Sequence, residues 1–161
     1  MKDFKNKVVV ITGGATGIGK AMADKFGAEG AKIVIAARRE ERLQEAVADL
    51  TAMGVDARYK TCDVSSLEDT KVLADFAWAE FGQVDVLVNN AGITGGPVAV
   101  VDASEEDYQS VFKIKIFGML NGIWAFGNWM IAQGTPAMIL SVNSETGLYV
   151  PGPMMGGYPR R

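Results

Sequence analysis

The chain has 161 residues, enough for one domain with a substantial core and too few for two. Hydrophobic residues make up 48% and charged residues 22%, far from the composition of disordered chains. Sixteen Lys and Arg against nineteen Asp and Glu leave a net charge of -3, so there is no basic excess to drive nucleic-acid binding. Histidine is absent, which removes Ser-His-Asp and Cys-His catalysis, the usual catalytic zinc sites and any histidine pH switch, and no metal site is expected. The one cysteine, Cys62, can form neither an intrachain disulfide nor a thiolate cage; it reads as a small buried apolar residue and fits a reducing compartment.

Residues 1–7 are charged and polar around Phe4, and the apolar run 8–11 is too short for a signal-peptide core, so no export signal is expected. The longest apolar stretch, 116–132, is interrupted by Asn121 and Asn128 and falls short of a membrane span. Together these features predict a cytoplasmic protein with no membrane contact.

In chain order, short β-branched runs at 8–11, 33–36, 57–61, 84–88 and 138–140 alternate with helical patterns at 17–29, 40–53, 66–81 and 104–133. Gly30, Gly54, Gly82 and Gly134 follow the four helices as left-handed caps. Ser65 with Glu68, and Ser104 with Asp107, have the spacing of N-terminal capping pairs. The strands read as nearly continuous apolar runs, which predicts a parallel sheet covered by helices on both faces: an α/β, doubly wound, Rossmann-type domain of about five strands over 1–161. Two irregular segments, 97–101 and 149–158, follow the fourth and fifth strands, where such sheets place their ligands.

The turn after the first strand reads Thr12-Gly13-Gly14-Ala15-Thr16-Gly17-Ile18-Gly19. Gly13 would permit the tight turn, Gly17 would let backbone N–H groups approach a diphosphate, and Gly19 would let the helix pack close to the strand. A flexible turn is the plain alternative, but the place of the triplet at the first strand-to-helix junction favours a dinucleotide.

The spacing Gly-x-x-x-Gly-x-Gly resembles that of the short-chain dehydrogenase/reductase family. Asn89-Asn90-Ala91-Gly92 after the fourth strand looks like that family's Asn-Asn-Ala-Gly motif, and Asp63-Val64 like its adenine-contacting pair. The resemblance runs the whole length of the chain. It implies cofactor contacts from Gly13, Thr16, Gly17, Ile18, Gly19, Asp63, Val64, Asn90 and Gly92. At 36–39 no carboxylate stands ready for a free ribose 2'-hydroxyl, and Arg38, with Arg39 beside it, favours NADP over NAD through a 2'-phosphate. Alternatively both arginines are solvated charges paired with Glu40 or Glu41.

The resemblance further implies hydride transfer between a nicotinamide and a secondary alcohol or ketone. Tyr158 stands as general acid/base and Ser144 holds the substrate oxygen, with Ser141 a competitor for that role. Tyr158 also reads as an exposed aromatic near the chain end. The family lysine belongs four residues after the tyrosine, one position beyond Arg161, and Lys115 stands where the family keeps an asparagine. Lys115 is open to three readings: a surface charge, a relay substitute, or an intruder in a site that wants a neutral amide. The chain therefore resembles the N-terminal part of the family fold, with impaired turnover expected. A non-catalytic dinucleotide-binding or interaction module is the alternative. The expected fifth strand forms an apolar edge, and Phe117, Leu120, Trp124 and Ile131 line a helix beside Phe112 and Met119, so a homo-oligomer is expected.

Overall fold

The computed structural model describes residues 3–93 and 102–144. The segments 97–101 and 149–158, Tyr158 among them, and residues 160–161 lie outside the described residues.

Five strands form one parallel sheet: β1 (Val8–Thr12), β2 (Lys32–Ala37), β3 (Ala57–Thr61), β4 (Val86–Asn89) and β5 (Met138–Ser141), in the order β3-β2-β1-β4-β5. The helices are α1 (Gly17–Ala28), α2 (Glu40–Ala52), α3 (Leu67–Phe81), α4 (Glu105–Phe112) and α5 (Gly118–Ala132). Each parallel pair needs a crossover that returns the chain to the same edge of the sheet, and the helices supply it.

Strand alternation feeds two cores. Val8 and Val10 point to one face and pack with Leu73, Ala77 and Phe126 of α3 and α5. Val9 and Ile11 point to the other and pack with Ile33, Ile35, Leu43 and Leu50 under α1 and α2. Because β1 and β2 are buried on both faces, they read as unbroken apolar runs. β3 departs from that expectation. It is an edge strand, and its alternation puts Arg58 in solvent, where a charge discourages pairing with another chain.

Gly30, Gly54, Gly82 and Gly134 all have positive φ, as their places after α1, α2, α3 and α5 require. The cap of α3 is corrected by one residue. Ser66 rather than Ser65 accepts from the Asp69 backbone N–H at 3.1 Å, because Ser65 is occupied donating to Asp63. Ser104 and Asp107 form the expected capping box. The helix expected over 104–133 is divided, since between α4 and α5 the backbone widens into a π-helical turn at Lys113–Phe117. Such a turn inserts a residue into the helical register and is common at functional sites.

β4 starts two residues later than the apolar run suggests, because Asp85 interrupts it. This carboxylate, 1% exposed, accepts from Lys7 Nζ at 2.9 Å, the Val8 N–H at 2.9 Å and Gln83 Nε2 at 2.8 Å. It ties β1 to the start of β4 at the end of the sheet away from the glycine-rich turn. Of the two asparagines that break the 116–132 stretch, Asn121 is buried and donates to the Val64 carbonyl at 2.8 Å, fastening α5 to the loop after β3. Asn128 is exposed. Among the described residues no helix is long and apolar enough to cross a membrane.

Candidate functional site

The site forms at the carboxyl ends of the strands, where β1 leads into the glycine-rich turn and β4 into 90–93. Thr12 closes β1 with its hydroxyl inside the sheet, accepting from the Asn90 N–H at 3.0 Å and the Ala91 N–H at 3.1 Å and donating to the Val88 carbonyl at 3.3 Å. Asn90 reaches back and donates through Nδ2 to the Thr12 carbonyl at 3.0 Å and the Gly13 carbonyl at 3.4 Å. The loop after β4 therefore grips the turn after β1 at two points.

That grip explains the glycines. Gly13 has φ +68°, and a Cβ there would lie 2.9 Å from Asn90 Nδ2. A Cβ on Gly19 would collide with the Gly13 carbonyl oxygen and lie 2.6 Å from Asn90 Nδ2, so α1 seats directly on the turn. Gly14, for which the sequence alone suggested no role, leaves room for Ile35; a Cβ would lie 2.6 Å from its Cγ2. Gly17 is different, because at φ +55° nothing beyond its chain neighbours and its own helix backbone lies within 4 Å of its absent Cβ. Its openness leaves the N-terminus of α1 accessible. Thr16 takes the N-cap position, extended at φ -150°, with no side-chain cap bond, and the first turn carries no acidic residue. The first N–H groups of α1, including those of Ile18 and Gly19, lack intrahelical acceptors and carry the positive end of the helix dipole. They make a ready anion site.

Two clefts adjoin at Val64, Ala91, Gly92 and Ile93. The smaller, about 420 Å³, extends from Gly13 and Thr16 over the end of β2 to Arg38, Arg39 and Arg42, with Cys62 and Asp63 on its far side. Among the described residues neither Arg38 nor Arg39 forms a salt bridge. The pairing with Glu40 considered from sequence is not made, since Glu40 accepts from the Tyr59 hydroxyl at 3.1 Å. Arg42, which sequence reasoning missed, pairs with Glu45 at 2.9 Å while lining the cleft. Its signal was the three-residue step from Arg39, which puts both on one side of the first turn of α2.

Among the described residues Asp63 is the one carboxylate lining this cleft. Burial alone would raise its pKa, but bonds from the Ser65 hydroxyl at 2.7 Å and N–H at 2.9 Å, together with the charge of Arg38, bring it below the usual value. It stays ionised and fixed in the β3 exit loop. Burial, reinforced by the charge of Asp69, pushes the Cys62 thiol up to about 11, which leaves it neutral, in keeping with a packing residue.

The larger cleft, about 820 Å³, lies on the other side of the 90–93 loop. Thr12, Asn89, Asn90, Met119 and both candidate serines, Ser141 and Ser144, line it. Ser141 ends β5 opposite Asn89, and Ser144 lies three residues further out, exposed. Ile18 borders the same cleft at the start of α1. Lys115, in the π-helical turn, also lines it rather than pointing away from the protein. The structure thus brings together Gly13, Thr16, Arg38, Asp63, Val64 and Gly92 in one cleft, and Ile18, Asn90, Lys115 and Ser144 in the other, with Gly17 and Gly19 at the head of α1 near their junction.

Comparison with known proteins supplies the family. The family model described as short chain dehydrogenase matches residues 7–159. An uncharacterized oxidoreductase of Listeria monocytogenes is 39% identical over 146 residues, covering 90% of this chain and 58% of that protein. A C alpha-dehydrogenase of Sphingobium sp. is 38% identical over 149 residues, covering 91% of this chain and 48% of that protein. Among solved structures, a short-chain dehydrogenase/reductase from Burkholderia phymatum in complex with NAD superposes with a TM-score of 0.90 at 36% identity, covering 94% of this chain and 53% of that one. The chain spans about half the length of these relatives. With the glycine-rich turn, the Asn-Asn-Ala-Gly loop and the sheet order all agreeing with a match across nearly every residue, this chain belongs to the short-chain dehydrogenase family.

Proposed function

We propose that the chain forms the nicotinamide-dinucleotide site of an oxidoreductase that interconverts a secondary alcohol and its ketone, with NADP preferred to NAD. The observation that carries this reading is the open, acid-free N-terminus of α1 at Gly17, next to a cleft bordered by three arginines. A diphosphate fits the α1 amides, and a 2'-phosphate fits Arg38 and Arg39, with Arg42 in support. Asp63 and Val64 would border the adenine, and Asn90 and Gly92 would border the path toward the larger cleft. The bound cofactor supplies a hydride donor or acceptor. Ser144 would hold the substrate oxygen, with Ser141 the nearest substitute, and Tyr158 would exchange its proton.

Although the Burkholderia phymatum relative holds NAD, the end of β2 here offers no carboxylate to a free 2'-hydroxyl. Fluorescence titration is expected to show NADPH binding at least tenfold tighter than NADH. Arg38→Ala should lose at least tenfold for NADPH and little for NADH, since a charge-assisted phosphate contact contributes about 1.5–3 kcal/mol. Equal affinities for the two cofactors, or an Arg38→Ala variant with unchanged NADPH affinity, would sink the NADP assignment.

The partner proposed beyond a small molecule is a second copy of the chain. Trp124 is 61% exposed and Ile131 80% exposed on α5, with Phe112 and Phe117 on the segment before it. Met138 and Leu140, each 40% exposed, share one face of β5, the strand at the end of the described sheet. Both surfaces gain by losing contact with water. Light scattering at tens of micromolar is expected to report a dimer or larger species, and Trp124→Glu should shift it toward monomer. A monodisperse monomer for the unmodified chain would refute self-association.

A further inference from the structure

Lys115 is placed by the packing of the helix that follows it and by its contact with Gly92. Gly118, Gly122 and Ala125 are buried on the face of α5 that packs on the sheet, with Gly118 against Val64 and Gly122 against Asn89. Ahead of Gly118 the π-helical turn shifts that register, so Ile114 packs on the core and Lys115, the next residue, is exposed beside Gly92. At this height β4 has ended, so what faces Lys115 is the loop at Gly92 and the open cleft. Its methylene stem crosses Gly92, with Cε 3.5 Å from the place a Cβ would occupy there. Lys115 lines the 820 Å³ cleft that Ser144 also lines.

The charges around it are one-sided. No Asp or Glu lines that cleft among the described residues, and Lys115 is its one charged lining residue there. Among the described residues Lys115 forms no salt bridge, although the surface lysines Lys7 and Lys20 do. A cation at a concave site that has no counter-charge among the described residues focuses a positive potential onto whatever occupies the cleft. A neutral ketone would leave that charge unanswered, whereas a carboxylate would answer it with a charge-assisted hydrogen bond.

We propose that Lys115 makes this cleft selective for alcohols and ketones that carry a carboxylate close to the reacting carbon. The inference rests on reading the larger cleft as the substrate site. The same ammonium could instead meet a phosphate of the cofactor, and the two sources of anionic oxygen separate by experiment. Isothermal titration of the unmodified chain, Lys115→Met and Lys115→Arg is to be run with 2-oxobutanoate, with its uncharged analogue 2-oxobutanamide, and separately with NADPH. The unmodified chain is expected to bind the carboxylate about tenfold tighter than the amide. Lys115→Met should lose that preference, Lys115→Arg should keep most of it, and NADPH affinity should stay within twofold in both variants. Equal binding of carboxylate and amide by the unmodified chain overturns the proposal, and so does no measurable binding of either. A preserved preference in Lys115→Met also overturns it. A tenfold loss of NADPH affinity in Lys115→Met with no change in the carboxylate preference assigns Lys115 to the cofactor and overturns it too. Failure of the unmodified chain to bind NADPH, with the carboxylate preference intact, refutes the cofactor reading and leaves this inference standing. Since Lys115 is exposed, its variants should keep the parent's circular dichroism and melting midpoint.

Discussion

Gly17→Val is expected to abolish NADPH binding, by more than a hundredfold in Kd, while leaving the sheet and helices in place. The structure separates the two effects because Gly17 has φ +55° and nothing beyond its chain neighbours and its own helix backbone lies within 4 Å of the place a Cβ would occupy, so the β-carbon itself is accommodated. The direct cost is the left-handed backbone, about 1–2 kcal/mol for a residue with a Cβ. The isopropyl group would instead occupy the space over the first amides of α1, which a diphosphate must approach. Gly19→Ala is the contrasting variant. Its added methyl group would collide with the Gly13 carbonyl and crowd Asn90 Nδ2 at 2.6 Å, and the main-chain oxygen cannot swing aside as a side chain can. Overpacking of this kind costs about 1–3 kcal/mol, and the backbone contact puts Gly19→Ala at the upper end. Titration together with thermal melting should therefore find Gly17→Val folded but unable to bind, and Gly19→Ala destabilised. Unchanged NADPH affinity in Gly17→Val would reduce the loop to a turn.

Asp85→Ala is expected to lower stability by about 3 kcal/mol or more, making it among the most damaging substitutions outside the cleft. The carboxylate is 1% exposed and accepts from three donors. Its removal leaves the Val8 N–H, at the start of the central strand, buried without that acceptor, and an unmet buried donor costs about 1–3 kcal/mol. Lys7→Met tests the explanation. The Lys7 side chain is 34% exposed, so its ammonium is partly hydrated already, and Asp85 would keep Val8 and Gln83. That variant should cost less than Asp85→Ala, because the Val8 N–H keeps its acceptor and the carboxylate keeps two donors. Urea unfolding curves would decide, and equal losses for Asp85→Ala and Lys7→Met would mean that the ion pair, not the backbone bond, holds this end of the sheet.

The five strands and the α/β order were legible because parallel strands buried on both faces leave long apolar runs, and because helix ends need residues with special backbone freedom. The glycines after the four helices reported those ends, and all four have the positive φ their position called for. The cleft glycines were legible for the same reason, with the exception of Gly14. Its constraint is a contact with Ile35, twenty-one residues away, that leaves no local trace. Arg38 was legible from its place at the end of β2. Arg42 was legible only as a three-residue step from Arg39, because its claim on the cleft depends on how the first turn of α2 faces the end of that strand.

Ser66 displaced Ser65 as the cap of α3 through competition for one hydroxyl. Local spacing allowed either serine, and Asp63, held in the β3 exit loop, claimed Ser65. The π-helical turn at Lys113–Phe117 has no signature in residue type, yet it sets the register at which α4 leads into α5. Lys115 shows the division most plainly. Its identity and its three-residue spacing from Gly118 are local facts, and they allowed a surface charge as readily as a cleft residue. Whether a lysine there meets solvent or a cleft depends on the register the π-helical turn imposes and on where the Gly92 loop turns, which is a matter of chain segments distant in sequence. Periodicity and backbone chemistry act within a few residues and so were written into the order of residue types. Charge pairing, cleft lining and the sharing of a hydroxyl depend on distances between separate segments, which exist only once the sheet has assembled.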